Sequence, residues 1–312
     1  MQLIDYEKKG SLKIHKKYVG FIDKKYKKGY KAGYDKYFKH VLDVLHKDLK
    51  DSINLTTINP TTSKKSGKLT DHIYVMWWQG LKEAPKLVQN NIKRMQDIFG
   101  KENVYIINKK NWKNYCSISD NIINKFESGK ISITALSDII RFNLLENTGG
   151  LWIDSTVILN GNCKELISRY NDYNFFSISN QDNDYHYISK SRWTAWMIGG
   201  KPSYSLFKFA TTFYELYFKK HDFLIDYYTI DDIIAYFYNA NSYFKEDVDV
   251  ISASWQPYLW STNMSNENNK KMIEKFKSDP YYSIQKFTYK YNKNIAKKSG
   301  TLLNFVLAAK DY

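Results

Sequence analysis

The chain has 312 residues, 43% of them hydrophobic and 17% aromatic, with a net charge of +15. That is enough apolar material for one large domain or two small ones, and it excludes wholesale disorder. With only Cys116 and Cys163, the chain has neither a disulfide scaffold nor a cysteine-rich metal centre, and a reduced, cytoplasmic setting is expected.

The charge is concentrated at the start, where residues 1–70 hold 17 lysines against 7 acids, a net +10. Tyr26, Tyr30, Tyr34 and Phe38 recur every four residues, and Val41, Leu42 and Leu45 extend the stripe. Lys24, Lys25, Lys27, Lys28, Lys31, Lys36 and Lys39 fill the gaps. The spacing predicts a basic amphipathic helix with an aromatic face. Such a helix either packs that face onto its own domain or lies in an anionic lipid interface. Nucleic acid is the other common partner of a basic arm. No RNP, KH or zinc pattern accompanies it, so no nucleic-acid partner is expected. The N-terminus lacks a signal-like apolar core. No stretch approaches the ~18 apolar residues of a membrane span. Any contact with a membrane is therefore expected at its surface, peripheral on the inner face. Residues 56–70, rich in Thr, Ser, Lys and Gly, read as a linker. The expected organisation is a basic helical region with its linker over 1–70, then a catalytic domain over 71–312.

From His72 the character changes. His72–Trp78 reads as a buried strand. Pro85 opens a helix to about Phe99 as its first helical residue, and Asn103–Ile107 is a second strand. Helices near 120–128 and 132–147 follow, the latter stopped by Gly149-Gly150. Leu151–Ile153 is a short buried strand ending at Asp154. Strands at Phe175–Ile178 and Ala195–Ile198 and helices near 203–220 and 230–238 complete the pattern. Strand–helix alternation predicts an α/β fold with parallel strands.

The segment Ser137–Val157 carries the chemistry. Asp138 and Arg141 share a helix face, and Asp154 sits at a strand end, where open α/β sheets place their ligands. Arg141 presents a rigid donor fork and Asp138 accepts from hydroxyls, although a surface ion pair would look the same. A hard cation such as Mg²⁺ or Mn²⁺ takes carboxylate oxygens and completes its shell with phosphates and waters, a role that suits Asp154. Asp231 and Asp232 either reach this cleft or serve as N-terminal acids of a helix.

Ser137-Asp138-Ile139-Ile140-Arg141, followed by Gly149-Gly150-Leu151-Trp152-Ile153-Asp154, resembles the sugar-nucleotide signature of glycosyltransferase family 32, and more closely that of bacterial capsular polysaccharide synthesis glycosyltransferases. Trp77-Trp78-Gln79-Gly80 is similar to their first-strand motif, and Lys286-Phe287-Thr288-Tyr289-Lys290 to their C-terminal one. The likeness covers about residues 70–312. It implies a GT-A fold, meaning a Rossmann-like mixed sheet flanked by helices, here with an N-terminal helical basic extension.

It further implies a retaining transfer of a hexose, galactose or glucose, from a UDP-sugar. The acceptor would be a lipid-diphosphate-linked repeat unit of a capsular or surface polysaccharide. By position, Asp138 and Arg141 would hold the donor sugar, and Asp154 would hold Mn²⁺ or Mg²⁺ and the diphosphate. Trp77 and Gln79 would flank the nucleoside. Gly150, Ser155 and Thr156 would line the donor, and Lys286, Thr288 and Lys290 would close over the diphosphate. The chain departs from the family's DXD pattern, because Thr156 stands where a second acid belongs, and no histidine follows His221. This departure gives the alternative its substance: a non-catalytic glycan- or membrane-binding protein on a degenerate GT-A scaffold.

Overall fold

The computed structural model describes residues 2–26, 29–56, 67–266 and 270–308. The chain opens with α1 (Gln2–Tyr26) and α2 (Lys31–Asn54). Then come β1 (Ile73–Met76), α3 (Lys86–Phe99), β2 (Val104–Ile107), α4 (Asp120–Glu127), α5 (Ile133–Thr148) and β3 (Gly150–Ile153). Next are β4 (Val157–Leu159), α6 (Asn162–Ser168), β5 (Phe175–Ser177), β6 (Met197–Gly200), α7 (Ser205–Lys220) and α8 (Thr229–Ala240). The chain closes with α9 (Ser242–Asp249), α10 (Leu259–Thr262), α11 (Lys270–Ser278), β7 (Ile284–Lys286), α12 (Lys293–Lys297) and α13 (Leu302–Ala308).

The main sheet has the order β2-β1-β3-β6-β5. β1 runs parallel to β2 and β3, while β6 lies antiparallel between β3 and β5. The result is a mixed α/β sheet compatible with a Rossmann-like fold rather than a wholly parallel one. Side chains alternate across it. Tyr74 and Trp152 enter the core shared with α5 and α7, whereas Ile73, Val75, Leu151 and Ile153 enter the core shared with α3 and α6. The strand expected at Ala195–Ile198 is shifted to Met197–Gly200. Its glycines allow close approach to β3: a Cβ on Gly199 would overlap the Gly150 carbonyl oxygen. Pro85 caps α3 from one residue outside it.

The single helix expected across residues 24–45 is two helices. The chain turns at Gly29, whose φ is +71°, and Lys27 and Lys28 lie outside the described residues. The buried face of α2 is Tyr34, Tyr37, Val41, Leu45 and Leu49. These pack with α7 and α8 residues in one core. Phe38 and Leu42 are only partly buried, and Tyr26 is exposed. The chain's own core therefore takes most of the apolar stripe that sequence left available to lipid. Most of the expected linker, residues 57–66, lies outside the described residues.

A second, two-stranded sheet pairs β4 with β7 antiparallel, Val157 opposite Lys286. This pairing, invisible in the sequence, folds the C-terminal segment back to the end of β3. Among the described residues no helix is long and apolar enough to cross a membrane.

Candidate functional site

The site forms where β3 ends. Trp152 and Asp154 are two residues apart, so they point to the same side of the sheet. The Trp152 indole N–H donates to Asp154 Oδ1 at 2.9 Å. The turn that follows is fixed by its backbone. Asp154 N–H donates to the Trp196 carbonyl at 2.8 Å, and Val157 N–H donates to the Asp154 carbonyl at 2.9 Å. From α3, the buried Asn91 amide donates to the Ser155 carbonyl at 3.1 Å.

Helix α5 supplies the next two groups. Ser132 caps its N-terminus by accepting from Ala135 N–H, and its second and third turns deliver Asp138 and Arg141. Arg141 is buried and forks between two carboxylates: Nη1 donates to Asp138 Oδ1 at 3.0 Å and Nη2 to Asp154 Oδ1 at 3.3 Å. Its guanidinium lies over the Trp152 ring, 4.7 Å from the centroid. Its Nε is buried without a partner. The two acids and the arginine singled out in sequence thus form one contiguous relay and not a surface ion pair.

The C-terminal segment completes it. Lys286 Nζ donates to Asp154 Oδ2 at 2.6 Å and to Thr156 Oγ1 at 2.9 Å, and lies 5.6 Å from the Trp196 ring centroid. Burial would raise the Asp154 pKa, but Lys286 and Arg141 outweigh it and hold the carboxyl below its ordinary value. Asp138 goes the other way. Burial, assisted by the nearby charges of Asp154 and Asp231, pushes it up to about 7 in spite of Arg141. The two neighbouring carboxyls are thus shifted in opposite directions, Asp154 toward its ionised form and Asp138 toward its protonated form. Protonated, Asp138 both donates to and accepts from a hydroxyl.

Asp231 and Asp232 begin α8 and split in direction. Asp231 Oδ1 accepts from the Trp193 indole at 3.1 Å. Burial raises its pKa to about 6, with Arg141 pulling it back down. It belongs electrostatically to the Asp138–Arg141 relay. Asp232 is buried under the N-terminal helices, with one carboxylate oxygen unpartnered. Burial and the carboxylates of Asp226 and Asp231 raise its pKa well above the ordinary value, and Lys16 of α1 partly offsets this. With Asp231 it lines a small cavity bordered by Lys16 and Tyr37.

The remaining expected donor residues are placed unequally. Trp77, in the turn after β1, meets the Tyr289 ring edge-on at 5.2 Å, and Gln79 is exposed in the same turn. Ser155 and Thr156 are buried in the turn after Asp154. Thr288 is half-buried and Lys290 exposed, and they bond to each other, Lys290 N–H donating to Thr288 Oγ1 at 3.0 Å. Gly150 starts β3, at the opposite end from Asp154, with φ +97°. A Cβ there would overlap the His72 carbonyl oxygen, so the bare Cα serves the packing of β3. Sequence reasoning missed Trp152, Trp193, Trp196 and Tyr289. Trp152 was legible in principle, since period-two alternation puts it on the side of Asp154.

The donor set does not fit a resident divalent cation. It offers one carboxylate with both oxygens already accepting from protein donors, and the neighbouring Thr156 hydroxyl accepts from Lys286 as well. A cation arriving with a diphosphate would meet Lys286 already on Oδ2.

Residues 22–306 match the family model described as capsular polysaccharide synthesis protein. The chain belongs to that family. Comparison with curated proteins and with solved structures gives no match. In this capsular polysaccharide synthesis protein the family match includes all of α2, the whole mixed sheet and the β4–β7 pair. It begins near the end of α1.

Proposed function

We propose that the protein is a glycosyltransferase that moves a hexose from a UDP-sugar to a lipid-diphosphate-linked acceptor in surface-polysaccharide assembly, with retention. The observation that carries this reading is the Asp138–Arg141–Asp154–Lys286 relay at the C-terminal edge of the parallel strands, in a chain of a polysaccharide-synthesis family. UDP-galactose and UDP-glucose are the proposed donors. Trp77, with Gln79 beside it, offers an aromatic face to the nucleoside.

The chemistry follows from the charges. As the C1–O bond to the diphosphate breaks, negative charge grows on the leaving oxygen. Preorganised cations placed where charge develops are worth most in a low-dielectric site. Lys286 is such a cation, on a flexible stem at the cleft side of Asp154. Arg141 is fixed between Asp138 and Asp154, and orients Asp138 toward the sugar hydroxyls. The acceptor oxygen bonds to C1 on the face the diphosphate leaves, and its proton passes to the departing phosphate oxygen. Asp231, poised near 6, stands as hydrogen-bond partner to the sugar or acceptor hydroxyl. A cavity of about 410 Å³, lined by Lys9, Lys130, Ile131, Phe223 and Asp138 among others, opens beside α5. Its two lysines and apolar walls suit a diphosphate-linked acceptor.

The engagement of both Asp154 oxygens by protein donors favours the second reading, a non-catalytic glycan-binding protein. One experiment separates the two. UDP release is measured across a UDP-sugar panel, with and without Mn²⁺, for wild type, Asp154→Asn and Asp138→Asn. Turnover by wild type that falls by ~10²-fold or more in the variants supports the transferase. Donor binding without turnover under any condition supports the binding protein. Stimulation by Mn²⁺ in wild type that is lost in Asp154→Asn would assign the cation to Asp154.

A further inference from the structure

Helix α1 has two unlike faces. Asp5, Leu12 and Val19, seven residues apart, are buried. The helix is clamped at both ends. His221 Nδ1 lies 2.8 Å from Asp5 Oδ2, and His186 Nε2 lies 3.1 Å from Asp23 Oδ2, with the Tyr185 hydroxyl donating to Asp23 Oδ1 at 3.1 Å. These clamps fix the rotation of α1 about its axis, and with it the side that faces outward.

That outward side carries four exposed large apolar side chains. Leu3 is 72% exposed, Ile14 71%, Phe21 63% and Tyr18 58%. At 100° per residue these four fall within about a 60° sector. The exposed lysines Lys13, Lys17 and Lys24 line one side of them, and Lys25 lies at their C-terminal end. Of the three acids of α1, Asp5 and Asp23 are turned inward to the histidines, which leaves Glu7 alone on the outer side. Gly10 opens a shallow groove of about 680 Å³ in this face, bordered by Glu7, Ser11, Ile14 and Tyr18. Ile14, Tyr18 and Phe21, at i, i+4 and i+7, form one exposed apolar cluster, and such clusters mark interaction surfaces.

We infer that the outer face of α1 is an interfacial docking surface for an anionic lipid bilayer. The charge selects this occupant. A second copy of the chain would set one lysine row against another, whereas anionic headgroups neutralise the lysines while Leu3, Ile14, Tyr18 and Phe21 enter the acyl boundary. This differs from the surface expected in sequence, because the Tyr34–Leu49 face of α2 is buried in the core. The inference does not depend on the catalytic reading. None of these outer-face residues lies in the relay.

The test is co-sedimentation of the full chain with extruded vesicles of phosphatidylcholine alone or with 30% phosphatidylglycerol, together with sedimentation velocity without lipid. Expected is binding to the anionic vesicles only, weakened by salt. Ile14→Glu/Phe21→Glu should abolish it, and Lys17→Gln/Lys24→Gln should weaken it by about 25-fold, at about five-fold per lysine. The changes are on exposed side chains, so melting temperature should stay within about 1 °C. UDP release from soluble donor should be unchanged, so failure here and failure of the transferase reading are distinguishable. Equal pelleting with neutral and anionic vesicles, or no pelleting with either, overturns the inference. Binding that survives Ile14→Glu/Phe21→Glu overturns it too, since any basic surface would give that. So does a lipid-free dimer that the same double change dissociates, which would assign the face to a second copy.

Discussion

Replacing Lys286 with Met tests the central contact of the site. The change keeps most of the aliphatic volume and removes the ammonium that donates to Asp154 Oδ2 and Thr156 Oγ1. Both members of the ion pair are less than a third exposed, at 22% and 28%. The hydrogen bond to the charged group is therefore worth about 2 kcal/mol, and Tm should fall by about 4 °C in a chain of this size. The effect also carries a pH signature. Lys286 and Arg141 depress the Asp154 pKa. A depressed carboxylate stabilises the fold above its unfolded pKa, and that stability is lost as pH falls through the folded value. The Tm gap between wild type and Lys286→Met should accordingly be full at pH 7 and close at acid pH, below about 4. In UDP-release assays kcat should fall ~10²–10³-fold, the usual cost of removing one such contact. A gap that does not change with pH, or wild-type turnover in the variant, would refute the assignment of Lys286 to Asp154 and to the leaving group.

Three further outcomes are expected. Trp152→Phe removes the indole donor to Asp154 Oδ1 while keeping a ring under Arg141. A loss of about 1.5 kcal/mol, read as about a ten-fold fall in kcat/KM and a matching drop in Tm, is expected. Gly150→Ala places a Cβ against the His72 carbonyl at φ +97°. Thermal unfolding should show a large loss of stability, with donor KM unchanged in the protein that still folds; a raised KM at normal Tm would assign Gly150 to the donor site. His221 sits between Asp5 and Asp48, with Lys220 and Asp51 alongside. Burial alone would lower its pKa, but the hydrogen bonds and charges of Asp48 and Asp5 raise it above the ordinary value. Its stabilisation is thus full below about pH 6.5 and lost as pH rises through the folded value. The Tm deficit of His221→Asn should be largest near pH 6 and smallest near pH 9, with proteolysis of wild-type α1 increasing over the same range.

Local signals determined much of this protein. Buried apolar runs, glycine stops and strand–helix alternation gave the strands at 73–76, 104–107 and 151–153 and the helices around them, because those patterns depend on neighbours a few residues away. Asp138, Arg141 and Asp154 were legible for the same reason: helix and strand periods fix which side chains share a face.

Pairing over long separations was decided only in three dimensions. The β4–β7 sheet joins residues more than a hundred apart, and it alone sets Lys286 on Asp154 beside Thr156. Period-two alternation aligned Trp152 with Asp154, but only the packing of α5 laid Arg141 between them. Asp231 and Asp232 are adjacent in sequence, yet only Asp231 accepts from Trp193 and feels the Arg141 charge, since successive residues on a helix diverge by about 100°. The basic arm shows the same limit. Sequence placed an apolar stripe on a lysine-rich helix, but which stripe remains exposed depends on what packs against it: the face of α2 meets α7 and α8, while that of α1 stays open.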